Sequence, residues 1–264
     1  IFGVLSICCY MACYKMSTER IAAPVQAKGN ANLKATLKGL GKNKPLLWIL
    51  AASLLFMMNT MLMGTVNVYL FKDYFQSAAA LSIFAVVQTG ACFVAMPLVK
   101  PLVAKFGKKE LASVGLVLSA IMYFALFFLK DLTGMQFVAV ASVGMFGYAF
   151  FNIVVWAFVT DVIDYHELLT GLREDGTVYS IYSFARKIGQ AIAGGIGGFA
   201  IGAVGYNAAS GVQSQSTLDG IHMLGTLVPA IVFVVVLLIL VFLYPLNKKR
   251  TDEMVAELTA RRKK

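Results

Sequence analysis

The chain has 264 residues, of which 59% are apolar and only 14% are charged, and its formal net charge is +10. A soluble globular domain has about a quarter charged residues, so this composition excludes an ordinary soluble domain. The apolar residues come in long blocks, which predicts an all-α protein that crosses a membrane several times. The basic residues show no common face interleaved with aromatic residues, so no nucleic-acid partner is expected.

The apolar run at residues 1–14 begins with Ile1 rather than Met and carries no charged residue. Because a signal peptide starts with a charged region, we expect this run to be the end of a preceding span, and the chain to be a fragment. Residues 15–44 then form a polar, basic loop. Three leucines at helical spacing predict a short amphipathic helix on the membrane surface within this loop: Leu33, Leu37 and Leu40.

Six apolar blocks follow, each long enough to cross a hydrocarbon core of about 30 Å at about 1.5 Å per residue. They lie at about 45–71, 78–99, 111–129, 135–160, 179–205 and 221–245. The predicted organisation is therefore a span end at 1–14, a central loop at 15–44, a six-span bundle at 45–247 and a basic tail at 248–264.

The basic residues predict which side of the membrane each loop occupies. Of the 23 Lys and Arg residues, all except Lys72 and Lys130 fall on one side of this topology. By the positive-inside rule, that side is cytoplasmic. The 15–44 loop, the 161–178 connection and the tail are therefore predicted to lie in the cytoplasm, with the spans in a plasma (inner) membrane.

Cysteine and histidine carry no recognisable chemistry in this sequence. The four cysteines lie inside apolar runs without a CxxC pair, and the two histidines are far apart. No Ser/His/Asp arrangement or phosphate-binding loop is present either, so we predict no metal site, no cofactor and no enzymatic activity.

The segment 161–206 concentrates charges beside and within apolar sequence. Three acids follow the fourth span, and Arg173 comes soon after them: Asp161, Asp164 and Glu167. Charges at such a position are usually functional, and opposite charges at a cytoplasmic mouth can pair when it closes and separate when it opens. Alternatively, the acids cap helix ends while nearby cations reach the lipid headgroups.

A second group of polar residues lies inside the fifth predicted span. Lys187 is eight residues beyond Tyr179, or about 12 Å at helical rise, close to the midplane where transporters place substrate sites. Tyr182 and Ser183 lie near it on the helix. Arg186 suits either this ligand face or the acids, and we group it with the acids as part of a cytoplasmic gate.

Small and polar residues in other spans complete the candidate set. A glycine every four residues predicts a seam against which another helix packs closely: Gly194, Gly198 and Gly202. Asn59 in the first complete span and Asn152 and Trp156 in the fourth need polar partners. We therefore expect these three side chains to face the bundle interior or a wet cavity.

The segment DVIDYHELLTGLREDG, followed by YSIYSFARKIGQAIAG, resembles the glycoside–pentoside–hexuronide:cation symporter family. That family includes the melibiose carriers and belongs to the major facilitator superfamily. NKPLLWILA at 43–51 and PLVAKFGKKE, which ends at Glu110, are also similar to it. The resemblance covers the whole chain and implies a six-helix carboxy-terminal bundle of a major facilitator fold, plus the end of a preceding span, in a bacterial membrane.

The resemblance also implies roles for individual residues. The acids and Arg173 match the family's cytoplasmic charged network, Lys187 matches a lysine near the sugar and cation sites, and Tyr182 and Ser183 match positions near the sugar. A tryptophan that stacks on sugar in melibiose carriers falls on Asn152, with Trp156 one turn later. Either Trp156 takes over the stacking role, or the ligand differs from melibiose.

The predicted function is alternating-access symport of a sugar or glycoside with Na⁺ or H⁺. The substrate is an oligosaccharide, pentoside or hexuronide, and the expected partners are that substrate, membrane lipid and an amino-terminal six-helix half that holds most of the cation site. The substrate-binding candidates are Lys187, Ser183, Tyr182, Asn152, Trp156 and Asn59. Two alternatives remain open at this point: a lysolipid or other amphiphile symporter of the same fold, and a non-transporting membrane subunit or receptor.

Overall fold

The computed structural model describes residues 2–17, 41, 43–171 and 173–262, and the elements within them are helical. They are α1 (Phe2–Met16), α2 (Lys44–Tyr69), α3 (Ala78–Phe106), α4 (Lys108–Phe128), α5 (Gly134–Thr170), α6 (Asp175–Ala203), α7 (Gln215–Leu238) and α8 (Lys248–Arg262). One π-helical turn extends α2 at Leu70–Tyr74, and another extends α7 at Ile239–Leu243. The amphipathic helix predicted from Leu33, Leu37 and Leu40 lies outside the described residues.

Residues 1–36 and 37–264 form two separate compact units. The first contains α1, a 15-residue apolar helix. The second contains the other helices, with α4 packed on α5 and α7, α2 packed on α6 and α7, and α3 packed on α5. Its core is made of aliphatic and aromatic side chains from these helices.

Local sequence signals set the ends of the helices. Asn43 caps α2 by accepting a hydrogen bond of 3.0 Å from the backbone N–H of Leu46, and its amide donates to the carbonyl of Val162 on α5. Thr133 and Gln136 form a capping box at the start of α5. At the other end of α5, Gly171 takes a left-handed conformation with φ of 73°, which glycine adopts without strain.

Helix α5 is longer than the sequence predicted, at 37 residues. The prediction ended the span at residue 160 and placed 161–178 in a connection, but the helix continues to Thr170. No glycine or proline interrupts the chain between Asp161 and Thr170, so nothing stops the helix where hydropathy falls. Asp161, Asp164 and Glu167 therefore lie on the last turns of a rigid helix.

Five of the described helical segments are long and apolar enough to cross a membrane by length and composition. They are Lys44–Tyr74, Ala78–Phe106, Lys108–Phe128, Gly134–Thr170 and Gln215–Leu243. Helix α6 has 29 residues but a less apolar composition, because Arg186, Lys187 and Gln190 interrupt it. The protein is thus a multi-pass membrane protein, and the sixth predicted span remains a prediction.

The backbones of α4 and α5 approach closely at Gly115 and Gly147. A Cβ at Gly147 would lie 2.5 Å from the carbonyl oxygen of Gly115, and a Cβ at Gly115 would collide with the carbonyl of Gly147. Beside them, the Ser119 hydroxyl lies 2.9 Å from the carbonyl oxygens of Gly115 and Gly144. This contact requires glycine on both helices.

The predicted glycine seam of α6 is not the face that packs on α2. A Cβ at Gly194, Gly198 or Gly202 would meet nothing within 4 Å, whereas one at Gly197 would lie 2.8 Å from the Thr65 hydroxyl of α2. The face toward α2 is instead formed by buried residues that recur every four positions: Gly189, Ala193, Gly197 and Ile201. A glycine at every fourth position shows that one side of a helix is narrow. It does not show on which side a neighbouring helix packs.

The segment predicted as a basic tail forms α8, which packs on the end of α5. Met254 and Leu258 are buried, and the guanidinium of Arg261 donates to the carbonyl of Leu168. Lys248 donates to the carbonyls of Ala104 and Lys105 at the end of α3, at 2.6 and 3.1 Å. Lysine amines thus satisfy free carbonyls at helix ends, and α8 connects α3 to α5.

We predict that Gly147→Ala destabilises the bundle, because the added methyl forces α4 away from α5 at an overpacking cost of about 1–3 kcal/mol. The matched control is Gly198→Ala, which adds the same methyl to an open helix face and improves helix propensity. Thermal unfolding of the detergent-solubilised protein should show a midpoint several degrees lower for Gly147→Ala than for the control. Equal midpoints would show that this contact is not close in solution.

Candidate functional site

One face of α5 carries exposed polar and aromatic residues at four-residue intervals. Asn152, Trp156 and Thr160 are exposed, and Asp164 continues the same face toward the helix end. Asp164 lies eight residues beyond Trp156, or about 12 Å along the axis. A single straight helix therefore connects the ligand-face candidates to the acids.

The side chain of Arg186 lies in an aromatic cluster between α5 and α6. Its guanidinium carbon is 4.8 Å from the ring centre of Trp156 and 5.9 Å from that of Tyr182. A guanidinium nitrogen also approaches the sulfur of Met57 on α2, at 3.7 Å. The indole of Trp156 stacks on Tyr179 at 6.2 Å.

This position corrects the grouping of Arg186 with the gate acids. From the start of α6 at Asp175, Arg186 is eleven residues along, or about 16 Å at helical rise. Its recorded contacts are with Trp156, Tyr182 and Met57. A cation–π contact with tryptophan contributes about 0.5–2 kcal/mol, depending on burial. Arg186 thus belongs with the ligand-face candidates.

The other ligand-face candidates differ in accessibility. Lys187 is exposed on α6 and Ser183 is half-buried, whereas Tyr182 is fully buried. The Tyr182 hydroxyl lies 3.3 Å from the Ser53 hydroxyl of α2, to which it donates. Tyr182 therefore fills the contact between α2 and α6, and its ring is not accessible to a ligand in this conformation.

Asn59 is buried in the bundle interior, which is one of the two environments predicted for it, and it does not line an open cavity. It is 2% exposed, and neither its amide nitrogen nor its amide oxygen has a hydrogen-bond partner among the described residues. Sequence reasoning placed the polar side chain inside the bundle, which is where it lies. In this conformation, the packing of α2 on its neighbouring helices keeps a ligand from reaching Asn59.

Sequence reasoning did not single out a polar contact between α3 and α5. The amide of Gln88 donates to the Tyr148 hydroxyl at 2.7 Å, and one turn along each helix Cys92 lies beside Asn152. Gln88 is a polar residue in a largely apolar stretch of α3. This isolated polar position was the feature of the sequence that could have predicted the contact. The two contacts join the exposed α5 face to α3.

Arg173 is held by several acids at the end of α5 and the start of α6. Its guanidinium lies 3.3 Å from Asp164, 3.0 Å from Glu167 and 2.8 Å from Asp175. Partial burial by itself lowers the pKa of Arg173, but hydrogen bonds and charges from Asp175, Glu167 and Asp164 raise it above its ordinary value. The guanidinium therefore stays charged.

Asp161 pairs with Lys108 of α4 rather than with Arg173. The Lys108 amine lies 2.5 Å from the Asp161 carboxylate, whose side chain is only 6% exposed. The same amine approaches the carbonyl of Ala157 at 3.4 Å. Sequence reasoning missed Lys108, although it stands in the basic GKK sequence that was noted as family-like.

The two ion-pair groups differ in strength. The Asp161 carboxylate is only 6% exposed and the Lys108 side chain 27% exposed, so removing Lys108 leaves a desolvated carboxylate unpaired, which costs more than the loss of a surface ion pair. The Arg173 side chain is 32% exposed, so each of its ion pairs contributes about 0.2–1 kcal/mol. The first connects α4 to α5 firmly, whereas the second is weak enough to open.

The histidines do not form part of a metal site in the described chain. His166 is buried and its Nε2 lies 3.0 Å from the Glu174 carboxylate, while His222 stacks on Tyr74 with ring centres 5.0 Å apart. Among the residues that the structure describes, no group of three His, Cys, Asp or Glu side chains is placed to hold a metal ion.

A family model described as MFS/sugar transport protein matches residues 1–248. The chain is 30% identical over 265 residues to the glucuronide carrier protein homolog of Escherichia coli, covering 100% of this chain and 57% of that protein. It is 31% identical to a putative sulfoquinovose importer of Salmonella typhimurium, covering 100% of this chain and 55% of that protein.

A third relative, the isoprimeverose transporter of Lactiplantibacillus pentosus, is 27% identical over 98% of this chain and 53% of its own length. The chain thus spans about half the length of the curated relatives that it matches. Transporters of this family need no cofactor. The chain belongs to the MFS sugar transport proteins, within the glycoside–pentoside–hexuronide symporter family, whose members are transporters and not enzymes.

Proposed function

We propose that this chain is the carboxy-terminal half of a secondary transporter that moves a sugar or glycoside together with Na⁺ or H⁺. The observation that carries the proposal is the exposed face of α5 and α6, where Trp156 presents an accessible indole, Asn152 lies one turn away on the same face of α5, and Lys187 is exposed on α6. An apolar ring face with a few polar groups around it is typical of small-molecule sites. The relatives include a glucuronide carrier protein homolog, a putative sulfoquinovose importer and an isoprimeverose transporter, which supports a sugar derivative as the substrate.

The amino-terminal half of such a transporter is the proposed partner for this face. The exposed sides of α5 and α6 carry polar residues together with large apolar ones such as Phe184 and Phe199. A second six-helix bundle opposite them would complete the cavity and supply the cation ligands. The two halves would alternate access by rocking around the enclosed substrate.

The charged end of the bundle, where Lys108, Asp161 and Arg173 lie, is proposed to face the cytoplasm of a bacterium at the inner membrane. The clustering of basic residues at this end supports that orientation. Within it, the Arg173 contacts with Asp164 and Glu167 form the gate, because they are weak and join α5 to the connection before α6. Asp161 is not part of this gate, because its ion pair with Lys108 is proposed to stay closed.

Uptake by vesicles that contain the full-length transporter tests the function. We expect accumulation of p-nitrophenyl glycosides above equilibrium when a Na⁺ or a proton gradient is imposed, and collapse of accumulation when that gradient is dissipated. A lysolipid should not compete with the sugar. Uptake that merely equilibrates would contradict coupling, and strong competition by a lysolipid would favour the amphiphile alternative.

We predict that Lys187→Ala weakens sugar affinity about tenfold or more, because a charge-assisted hydrogen bond contributes about 1.5–3 kcal/mol. Lys72→Ala is the matched control, since Lys72 is an exposed lysine in the π-helical turn that extends α2. Concentration-dependent uptake measures both variants. If affinity and accumulation are unchanged in Lys187→Ala, the lysine does not bind the sugar.

The gate is tested by exchanging charges. Arg173→Glu should reduce uptake, because it places a third carboxylate beside Asp164 and Glu167 and prevents closure. The double variant Arg173→Glu with Glu167→Arg restores opposite charges and should recover uptake to about half of the original rate or more. Failure of this rescue, with surface expression equal, would remove the support for an ion-pair gate.

The ion pair between Asp161 and Lys108 predicts that Asp161 contributes to the stability of the fold. Asp161→Asn should lower the unfolding midpoint markedly, whereas Asp175→Asn, at a carboxylate that is 52% exposed, should cost at most about 1 kcal/mol. Replacing both partners, Lys108→Met with Asp161→Leu, should recover most of the lost stability, because no unpaired charge remains. Equal midpoints for the two single variants would contradict a buried link.

A further inference from the structure

Arg186 and Lys187 are two consecutive cations well inside α6. From the start of that helix, Arg186 lies about 16 Å along the axis, which is about half of a hydrocarbon core of about 30 Å. Among the described residues, no carboxylate lies within ion-pair distance of either side chain. Cations at this depth are costly and are normally matched by an opposite charge.

The contacts of Arg186 are with neutral groups. Its guanidinium lies over the faces of Trp156 and Tyr182 and approaches the sulfur of Met57, a weak acceptor. These contacts hold the plane of the guanidinium in place and leave most of its five N–H donors without an anionic acceptor. The positive charge is therefore oriented but not neutralised.

The surroundings of Arg186 suit a sugar that carries an anion. Trp156 is 44% exposed and offers a flat apolar face, while Asn152 lies one turn along on the same exposed face of α5. A planar, fixed guanidinium binds carboxylate and sulfonate oxygens through two parallel hydrogen bonds, which a neutral hydroxymethyl group cannot accept as strongly. Arg186 is thus placed to bind a substituent of a ligand whose ring lies on Trp156.

We propose that Arg186 is the specificity-determining residue for an acidic sugar, whose carboxylate or sulfonate binds the guanidinium. This inference rests on the proposed sugar transport by the same site. It assigns the substrate class as glycosides with one anionic group, and it gives Arg186 a ligand-binding role in place of a role in the gate. The aromatic contacts with Trp156 and Tyr182 hold the guanidinium in place before the ligand arrives.

A matched set of probes tests the proposal in the full-length transporter. p-Nitrophenyl β-D-glucuronide and p-nitrophenyl β-D-glucoside differ only in a carboxylate against a hydroxymethyl group, and methyl α-sulfoquinovoside supplies a sulfonate. Binding is measured by calorimetry on purified protein, and accumulation is measured in vesicles. We expect at least one acidic probe to bind about tenfold or more tightly than the glucoside, as for a hydrogen bond to a charged group.

Variants of Arg186 then test whether its guanidinium causes the preference for the acidic probe over the glucoside. Arg186→Gln should abolish the preference for the acid while changing glucoside affinity less than about threefold. Arg186→Lys keeps the charge but loses the planar fork, and should retain part of the preference. Lys72→Gln, which removes an exposed positive charge from the π-helical turn that extends α2, should leave the preference unchanged. Comparing carboxylate with sulfonate shows which oxyanion fits better.

The outcomes separate this proposal from the proposed transport. If the transporter accumulates the glucoside but shows no preference for acid, transport stands and the acidic-sugar proposal fails. If an Arg186-dependent preference appears in binding without accumulation, the anion site stands and transport fails. Binding of no probe by folded protein contradicts both. If Arg186→Gln weakens acid and glucoside by the same factor, Arg186 only supports the packing of Trp156.

Discussion

The backbone contact between α4 and α5 is the constraint on which the arrangement of the bundle depends. At Gly115 and Gly147 neither helix has a Cβ, so the two backbones touch and the Ser119 hydroxyl reaches carbonyls on both. This contact holds the middle of α5, and α8 and Lys108 hold its far end. A helix held at both places keeps Trp156 and the terminal acids at a constant separation, so movement at one is transmitted to the other.

Burial divides the charges at the end of the bundle into two kinds. The carboxylate of Asp161 is almost fully buried against Lys108, and a bond of that kind breaks only at high cost. Arg173 is partly exposed and shares its guanidinium among several acids, so each contact is weak and replaceable by water. The two kinds of contact therefore differ in how readily they exchange with water: the Asp161 carboxylate is desolvated, whereas the Arg173 contacts are partly solvated.

The charges inside the bundle follow a different rule. Arg186 is stabilised by aromatic faces rather than by a carboxylate, and cation–π contacts compensate only part of the cost of a charge in a low-dielectric interior. Among the described residues, the buried amide of Asn59 also has no hydrogen-bond partner, at a further cost in stability. Arg186 lies beside the exposed indole of Trp156, and no carboxylate of the described chain neutralises its charge.

The sequence by itself determined the class of protein, most of the spanning helices and the family, because hydropathy, helix-capping residues and the 161–206 segment are local properties of the chain. It also identified the acids, Arg173, Trp156 and the two cations as the residues of interest. Only the tertiary structure decided which of them meet. Asp161 faces Lys108, fifty-three positions away in the chain, and Arg186 faces Trp156 instead of the acids. The α6 face that packs on α2 contains Gly197 and not Gly198. Periodicity defines the faces of a helix, but the neighbour that covers each face is set by the packing of the whole bundle.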